Sequence, residues 1–388
     1  MNILFLYLST IDPEKGGVQR VTNVLSDYFE SSGHSVFYLS LLKNSINISK
    51  RQSFLPDTKQ LISQDNICYF KYFLIENKID IVINQGGLLH PISELAYFSK
   101  SCNVKLISVI HSTPLGDIKN FRYAYFNRGA NIPFLKILST IPAINYLLCL
   151  LYRLKYHSFY KKLYDQSDAV LLLSLKFKKE FLSFFFRKID DKKLRAIANP
   201  CSYNTNSYSL IQKKKKLLYV GRVNFKQKRV DLLLQIWKLV CYKFLDWELD
   251  IVGGGPELEQ AKELAKSLKL ININFHGFSD PVSFYKEASI FCMTSSYEGF
   301  GMVLTEAMHY GVVPVAFHSF LSVDDIIDNG KNGVLIKPFN LLSYASALEQ
   351  LMSNTNFRSD LALNAINKSK EFSIDKIGSI WDNLLFSL

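Results

Sequence analysis

The residues best suited to chemistry lie where a predicted strand leads through glycines into a predicted helix. This segment reads Glu298-Gly299-Phe300-Gly301-Met302-Val303-Leu304-Thr305-Glu306. A glycine-rich turn into a helix leaves amide N–H groups unpaired at the positive end of the helix dipole, which favours phosphate. The carboxylates of Glu298 and Glu306 flank the turn and are suited to binding hydroxyl groups on either side of a diphosphate. The alternative is an ordinary strand–helix turn that carries two glutamates by chance.

A basic turn after another predicted strand is the second candidate. Gly221-Arg222 ends that strand, and Lys226 and Lys228 precede a predicted helix. Arginine offers a planar fork to phosphate oxygens and lysine a mobile point charge, so Arg222 with Lys228 predicts a diphosphate clamp. Lys228 is favoured over Lys226 because it stands just before the helix. A solvated basic turn is the alternative interpretation.

Two further glycine turns join predicted strands to helices: Gly16-Gly17 and Gly253-Gly254-Gly255-Pro256. Glycine allows backbone to approach a ligand closely. The Gly16-Gly17 turn lacks the G-x-G-x-x-G spacing of a dinucleotide site, so a nicotinamide cofactor is disfavoured. A tight connection with proline at the first helical position also explains the second turn.

His111 ends a predicted strand, where we expect its imidazole to face a ligand; a purely structural histidine is the alternative. The sequence contains no H-x-x-x-H, H-E-x-x-H or D-x-D pattern, and Asp324-Asp325 is interpreted as a helix cap. Each of these patterns would place two metal ligands close together on one helix or loop. We therefore expect no required metal and no other cofactor.

The elements that must position these residues follow one pattern twice. Apolar runs of strand length alternate with amphipathic helices, which predicts parallel sheets flanked by helices. The first cycle has predicted strands at 3–9, 36–41, 79–84, 104–111, 169–174 and 194–198, and the second at 217–221, 249–252, 273–276, 290–294, 312–316 and 333–336. Helices are predicted at 18–31, 229–243, 256–269, 281–288, 302–310, 341–353 and 374–388.

The chain has 388 residues, and since a single core rarely grows beyond about 250–300 residues, we expect two domains. The boundary is placed after Asn199-Pro200, which gives an N-terminal domain at 1–199 and a C-terminal domain at 200–370. The helix in 371–388 either stays with the second domain or crosses back to the first. Two doubly wound domains are expected to face each other across a cleft, with the chemistry at the carboxyl ends of their strands.

In this order the motifs resemble those of the retaining glycosyltransferases of the GT-B fold, family 4, the group 1 type. The matching elements are Glu298-x7-Glu306, Gly311-x-x-Pro314-Val315, Val220-Gly221-Arg222 with Lys228, Gly16-Gly17, Asn199-Pro200, Gly253-Gly254-Gly255-Pro256 and Asn332-Gly333. The resemblance implies an α/β GT-B fold of two Rossmann-like domains. It also implies metal-independent transfer of a hexosyl group from a nucleotide-sugar donor with retention of configuration.

The resemblance implies a role for each matching residue. Arg222 and Lys228 would bind the donor diphosphate and stabilise the leaving group, and Glu306 would bind the ribose hydroxyls. Glu298 would bind hydroxyls of the transferred sugar, and His111 would contact that sugar near the reacting carbon. The implied donor-binding set also includes Gly16, Gly17, Gly253, Phe300, Gly301, Met302 and Val303.

The positive charge is concentrated in the first half of the chain. Residues 1–198 contain 26 basic and 15 acidic residues, whereas 199–388 contain 20 and 19. Segment 119–162 has eight basic residues and no acidic one, and its stretch 134–152 is almost wholly apolar. We expect it to lie on an anionic membrane surface; a buried helix pair and a true membrane span are the alternatives.

A membrane-surface segment predicts a lipid-linked glycan acceptor and a peripheral location on the cytoplasmic face of the plasma membrane. The implied process is the synthesis of bacterial surface polysaccharide or lipopolysaccharide. Six cysteines at least 34 residues apart predict reduced, mostly buried thiols of a cytosolic protein. The first residues are interpreted as a buried strand and not as a signal peptide.

Two other function classes stay open. A nucleotide-sugar epimerase of GT-B architecture would need acid and base residues clustered in the cleft, for which His111 is the obvious candidate. A non-enzymatic membrane- or nucleic-acid-binding protein would account for the positive charge but not for Glu298, Glu306 and Arg222. On the transferase hypothesis no nucleic-acid partner is expected.

Overall fold

The structure is a computed structural model that describes residues 1–119, 142–203 and 213–388. The chain divides into two compact units. The first contains Met1–Pro114, Cys149–Ser202 and Ser373–Leu388; the second contains the described residues of Leu115–Leu148 and of Tyr203–Phe372. The sequence-based boundary after Pro200 lies close to the break between Ser202 and Tyr203.

The first unit is built on a parallel sheet of order β3-β2-β1-β4-β5-β6-β7. Its strands are β1 Asn2–Ser9, β2 Ser35–Leu42, β3 Gln52–Phe54, β4 Ile81–Asn84, β5 Lys105–Ile110, β6 Ala169–Leu172 and β7 Leu194–Ala196. Helices before the second sheet are α1 Gly17–Ser31, α2 Gln64–Glu76, α3 His90–Ala96, α4 Gly116–Lys119, α5 Pro142–Gln166 and α6 Phe177–Leu182, with a 3-10 turn at Tyr97–Cys102. The central strands are apolar on both faces because helices cover both sides of the sheet.

The second unit has its own parallel sheet, of order β10-β9-β8-β11-β12-β13. The strands are β8 Lys216–Val220, β9 Glu248–Val252, β10 Ile273–Gly277, β11 Ile290–Met293, β12 Val313–Phe317 and β13 Val334–Ile336. The helices are α7 Val230–Val240, α8 Leu258–Ser267, α9 Val282–Glu287, α10 Met302–His309, α11 Val323–Ile326, α12 Leu341–Ser353 and α13 Thr355–Ser369, followed by a 3-10 turn at Lys370–Phe372. Trp237 and Trp247 are buried in its core.

The last helix, α14 Ile374–Ser387, packs in the first unit. The Trp381 and Phe29 rings meet edge to face at 6.1 Å, and the Tyr28 hydroxyl donates to Asp382 Oδ2 at 2.7 Å. A Cβ added at Gly378 would lie 2.4 Å from the Tyr28 ring. The helix that the sequence pattern could not assign therefore crosses back to α1, and glycine permits the close approach.

Both predicted parallel sheets are present, and the predicted α/β class is confirmed. Each predicted strand overlaps an observed one, while the elements that were not predicted include β3, α2, α3, α6 and α13. All six cysteines are free. The expectation of mostly buried thiols is wrong for half of them: Cys201, Cys241 and Cys292 are buried, but the others are partly or fully exposed.

The basic, apolar segment predicted at 119–162 is described only in part, because residues 120–141 lie outside the described residues. Residues 134–141 of the stretch 134–152 fall in that range, and 142–152 belong to α5. In the ranges that the structure describes, no helix combines the length and the hydropathy of a membrane span.

Candidate functional site

The turn that follows β8 is closed by a hydrogen bond from the Tyr219 side chain. The buried Tyr219 hydroxyl donates to the carbonyl oxygen of Arg222 at 2.9 Å. Burial, with a smaller contribution from the Glu298 carboxylate, raises the pKa of Tyr219 well above its ordinary value. The phenol is therefore a neutral donor that fixes the backbone at Arg222.

The basic turn is also held by side chains of its own loop and of the loop after β11. Asn224 Oδ1 accepts from the Lys228 N–H at 2.8 Å. Ser296 Oγ donates to the Lys226 carbonyl and Thr294 Oγ1 to the Lys228 carbonyl, both at 3.0 Å. Because β8 and β11 are neighbours in the sheet, these bonds join the basic turn to the loop that leads into Glu298.

Lys228 and Glu298 form an ion pair in which Nζ lies 2.7 Å from Oε1. Their side chains are 17% and 9% exposed, so solvent screens this pair less than a surface pair. Arg222, in contrast, is exposed and makes no ion pair with any described residue. The predicted clamp thus contains one cation held by a carboxylate and one that is available to an anion.

The turn after β9 contacts the backbone on both sides of Arg222. Val223 N–H donates to the Gly254 carbonyl at 2.8 Å. Gly253 has φ +139°, and a Cβ placed there would lie 2.0 Å from the Gly221 oxygen. A Cβ at Gly255 would lie 2.2 Å from the Val223 oxygen. Glycine is required because two backbone segments touch here, so Gly253 supports the basic turn structurally.

The glycine turn before α10 has the geometry of an anion-binding helix start. Gly301 adopts φ +97° and immediately precedes Met302 and Val303, the first residues of the helix. The Ser322 hydroxyl donates to the Phe300 carbonyl at 3.2 Å, and the buried Phe300 ring packs on Phe372 at 5.6 Å. The first amides of α10 are thus presented by a turn that is fixed from both sides.

Glu306 lies deeper than Glu298, and only 1% of its surface is exposed. The buried Tyr285 hydroxyl lies 3.1 Å from Glu306 Oε2, and the Tyr285 ring stacks on Tyr310 at 5.6 Å. Lys213 Nζ donates to the Tyr285 carbonyl at 2.7 Å, and burial lowers the pKa of Lys213 to about 7. Sequence reasoning missed Tyr285 and Tyr310, because tyrosines in a core-forming pattern resemble ordinary packing residues.

In the first unit, Gly16 caps α1 and Gly17 is its first residue. His111 directly follows β5, and its Nε2 lies 2.5 Å from Gln85 Oε1. Gln85 itself follows β4, the neighbour of β5. Burial lowers the pKa of His111 to about 4, so the imidazole is neutral at physiological pH. Sequence reasoning found His111 and missed Gln85, although the glutamine shows the same signal, a polar residue at a strand end before Gly86-Gly87.

Residues 1–119, 142–203 and 213–388 contain no group of three or more His, Cys, Asp or Glu side chains that could hold a metal ion. Cofactor independence stays a prediction.

Comparison with known proteins matches residues 204–368 to the family model described as glycosyl transferases group 1. An uncharacterized glycosyltransferase of Haemophilus influenzae is 32% identical over 200 residues, covering 51% of this chain and 56% of that protein. The GalNAc-alpha-(1->4)-GalNAc-alpha-(1->3)-diNAcBac-PP-undecaprenol alpha-1,4-N-acetyl-D-galactosaminyltransferase of Campylobacter jejuni is 27% identical over 197 residues, covering 50% and 55%. The chain therefore spans about half the length of these relatives.

Among solved structures, the Anabaena protein Alr3699/HepE in complex with UDP-glucose superposes with a TM-score of 0.73 at 16% identity, over the full length of both chains. At 16% identity, this similarity shows that the two proteins share a fold. It identifies the two sheets as the two Rossmann-like domains of the GT-B architecture.

Proposed function

We propose that this chain, whose residues 204–368 match the family model of group 1 glycosyl transferases, transfers a hexosyl group from a nucleotide-sugar to a glycan, with retention of configuration. The observation that carries the proposal is the cluster at the strand ends of the second sheet. There the Lys228–Glu298 ion pair, the exposed Arg222 and the Gly301 turn combine cations, amides and a carboxylate.

These groups match the parts of a nucleotide-sugar. Arg222 and Lys228 supply positive charge for a diphosphate, and the first amides of α10 add oriented dipoles. Glu298 and Glu306 supply carboxylate acceptors, which suit hydroxyls of the sugar and of the ribose. Carboxylates would repel phosphate, so their place beside the cations favours a ligand that has both hydroxyls and phosphates.

The same groups account for catalysis. When the glycosidic bond to the diphosphate breaks, negative charge grows on the leaving phosphate and the sugar becomes oxocarbenium-like. Preorganised donors aimed at that phosphate stabilise the transition state more than the ground state. Arg222 and Lys228 serve as these donors in a metal-independent reaction. Retention follows when the acceptor hydroxyl attacks from the face that the phosphate leaves and passes its proton to a phosphate oxygen, so no protein nucleophile is assigned.

We propose that residues of the first unit contact the transferred sugar and the acceptor. His111, neutral and held by Gln85, contributes to the sugar site, and Gly16-Gly17 at the start of α1 lets backbone approach it. The acceptor is a lipid-linked glycan. The name of the Campylobacter relative includes a PP-undecaprenol-linked glycan, which supports this class.

An exposed apolar stripe on α5 supports contact with a membrane. Leu147, Leu151 and Leu154 are each more than half exposed and recur at the spacing of one helical face. Arg153 and Lys155 lie on the same helix. Apolar side chains flanked by cations suit the surface of an anionic bilayer. We therefore propose peripheral binding at the cytoplasmic face of the plasma membrane, in bacterial surface polysaccharide or lipopolysaccharide synthesis.

The test is a transfer assay in which a panel of nucleotide-sugars is incubated with polyprenyl diphosphate-linked sugars in anionic vesicles, with and without EDTA. We expect release of nucleoside diphosphate from one donor, unchanged by EDTA, and a product whose anomeric proton coupling matches that of the donor. Product with the opposite anomeric configuration would contradict retention. Conversion of the donor to its epimer without transfer would support the epimerase class instead.

A further inference from the structure

Arg229, which stands between Lys228 and the start of α7, has an unusual backbone. Its φ is +53° and its ψ is +46°, in the left-handed region that glycine enters freely and arginine rarely. Val230 N–H donates to the Asn224 carbonyl at 3.3 Å, so residues 224–230 form a closed turn. Thr294 Oγ1 lies 3.0 and 3.1 Å from the carbonyl oxygens of Lys228 and Arg229. The direction in which the Lys228 side chain leaves this turn therefore depends on the backbone at Arg229.

The Arg229 side chain is buried, with only 2% of the residue exposed. Its Nε and Nη2 donate to Oδ1 and Oδ2 of Asp231, both at 3.0 Å. Its Cζ lies 5.8 Å from the centroid of the Phe339 ring. Nη1 is buried and has no hydrogen-bond partner among the described residues. The guanidinium is thus held by a bidentate pair with a residue in the first turn of α7.

Global stability does not explain this arrangement. A buried ion pair seldom adds to stability, because the loss of hydration offsets the attraction between the charges. A buried N–H without a partner is unfavourable, and so is a left-handed arginine compared with a left-handed glycine. Strain of this kind is concentrated at functional sites, where the surrounding structure holds it. The bidentate pair with Asp231 is the contact that offsets the strain at Arg229.

We propose that Arg229 is a positioning residue for Lys228, a role that rests on the proposed function. The bidentate pair with Asp231 holds residue 229 in the left-handed conformation. That conformation directs the Lys228 ammonium to Glu298 in the free protein and to the donor diphosphate when donor is bound. Arg229 acts through Lys228 and is assigned no contact with the donor.

The first test examines the Lys228–Glu298 pair without any nucleotide. Reductive methylation followed by peptide mass spectrometry measures how fast each lysine amine reacts, and an amine that is ion-paired and mostly buried reacts slowly. We expect Lys228 to react at least about fivefold faster in Arg229→Ala, because alanine disfavours the left-handed conformation, and at nearly the wild-type rate in Arg229→Gly, because glycine adopts it without strain. Lys226 is the internal reference. An unchanged rate in Arg229→Ala, or an equally raised rate in both variants, would overturn the proposal.

The second test separates the side-chain pair from the backbone conformation. Asp231→Ala removes the partner of Arg229, so we expect the calorimetric Kd of nucleoside diphosphate to rise about tenfold in the wild-type background. In the Arg229→Gly background the same substitution should change Kd less than about twofold, since glycine needs no side-chain support there. Urea unfolding verifies that each variant is folded. The same loss in both backgrounds would overturn the positioning role. If the wild type binds no nucleoside diphosphate, the proposed function fails, and the methylation rates still decide whether Arg229 positions Lys228.

Discussion

The Lys228 ammonium lies 2.7 Å from the Glu298 carboxylate, although 70 residues separate the two along the chain. Each follows one of two adjacent strands, β8 and β11, and the loops are tied together through Ser296 and Thr294. The pair joins a cation suited to phosphate to a carboxylate suited to hydroxyls. A donor diphosphate would therefore compete with Glu298 for the same ammonium group.

Lys228→Ala is expected to weaken binding of the nucleoside diphosphate about tenfold to a hundredfold, since a hydrogen bond to a charged group contributes about 1.5–3 kcal/mol. Isothermal titration calorimetry measures this. Lys226→Ala, in the same loop, is the matched control and should change Kd less than about twofold. The reverse order of effects would assign the clamp to Lys226.

Gly253→Ala is expected to lower the free energy of unfolding by at least about 2 kcal/mol, because the added Cβ would meet the Gly221 oxygen at 2.0 Å and the backbone has φ +139°. Gly254→Ala is the control, since its Cβ would find its nearest neighbour, Phe278 Cβ, at 3.8 Å. Urea unfolding compares the two. Equal stability of both variants would show that the turns after β8 and β9 do not need their close approach.

Glu306 can be tested through the ribose. If its carboxylate binds ribose hydroxyls, the wild type should bind a 2′-deoxy nucleoside diphosphate about tenfold more weakly than the ribo form. Glu306→Gln keeps the shape of the side chain beside Tyr285 and should reduce that ratio toward one. Calorimetric Kd values for the four combinations form a double cycle. An unchanged ratio in Glu306→Gln would remove Glu306 from the ribose site.

His111 predicts a pH dependence of stability. Burial lowers its pKa in the folded protein to about 4, below the unfolded value of about 6.5. The unfolded state then binds more protons between these values, so the stabilisation is complete above about pH 6.5 and is lost as the pH falls toward 4. From pH 7.5 to 5, wild type should lose about 2 kcal/mol more than His111→Asn in urea unfolding. Parallel losses would contradict a lowered imidazole pKa in the folded protein.

The apolar stripe of α5 can be tested against a matched surface leucine. Leu151 and Leu363 are both 52% exposed, but Leu363 lies on α13 in the second unit. Leu151→Glu should reduce sedimentation with anionic phospholipid vesicles at least about fivefold, because it places a carboxylate in the apolar contact. Leu363→Glu should bind like wild type. Equal losses would indicate a general charge effect without a membrane face on α5.

Sequence patterns predicted the sheets well because buried parallel strands are continuous apolar runs, as in Ile81–Asn84 and Ile290–Met293. The strand β3 was missed because Gln52–Phe54 is three residues long and lies at the sheet edge. The partner of α14 could not be predicted either. Its apolar face is readable from spacing, but the complementarity of Gly378 to the Tyr28 ring exists only after both elements fold.

In the candidate site, too, local features were predicted from the sequence and contacts between distant segments were not. Motifs located Arg222, Lys228, Glu298 and Glu306, because glycine turns and charges at strand ends are local features. The supports of these residues are contacts between distant segments: Tyr285 on Glu306, Ser296 on the basic turn and Gln85 on His111. No single-sequence pattern specifies which polar side chain will meet which, so these partners needed the structure.

The measurement that tests the central claim most directly is a thermal-shift panel of UDP, GDP, ADP, CMP and their common sugar conjugates, with and without EDTA. It compares wild type, Arg222→Ala and Glu306→Gln. We predict that one nucleotide series raises Tm by about 5 °C in the wild type at saturation, that EDTA leaves the rise unchanged, and that both variants lose most of it. No rise with any nucleotide, or the same rise in both variants, would contradict a nucleotide-sugar site at these residues.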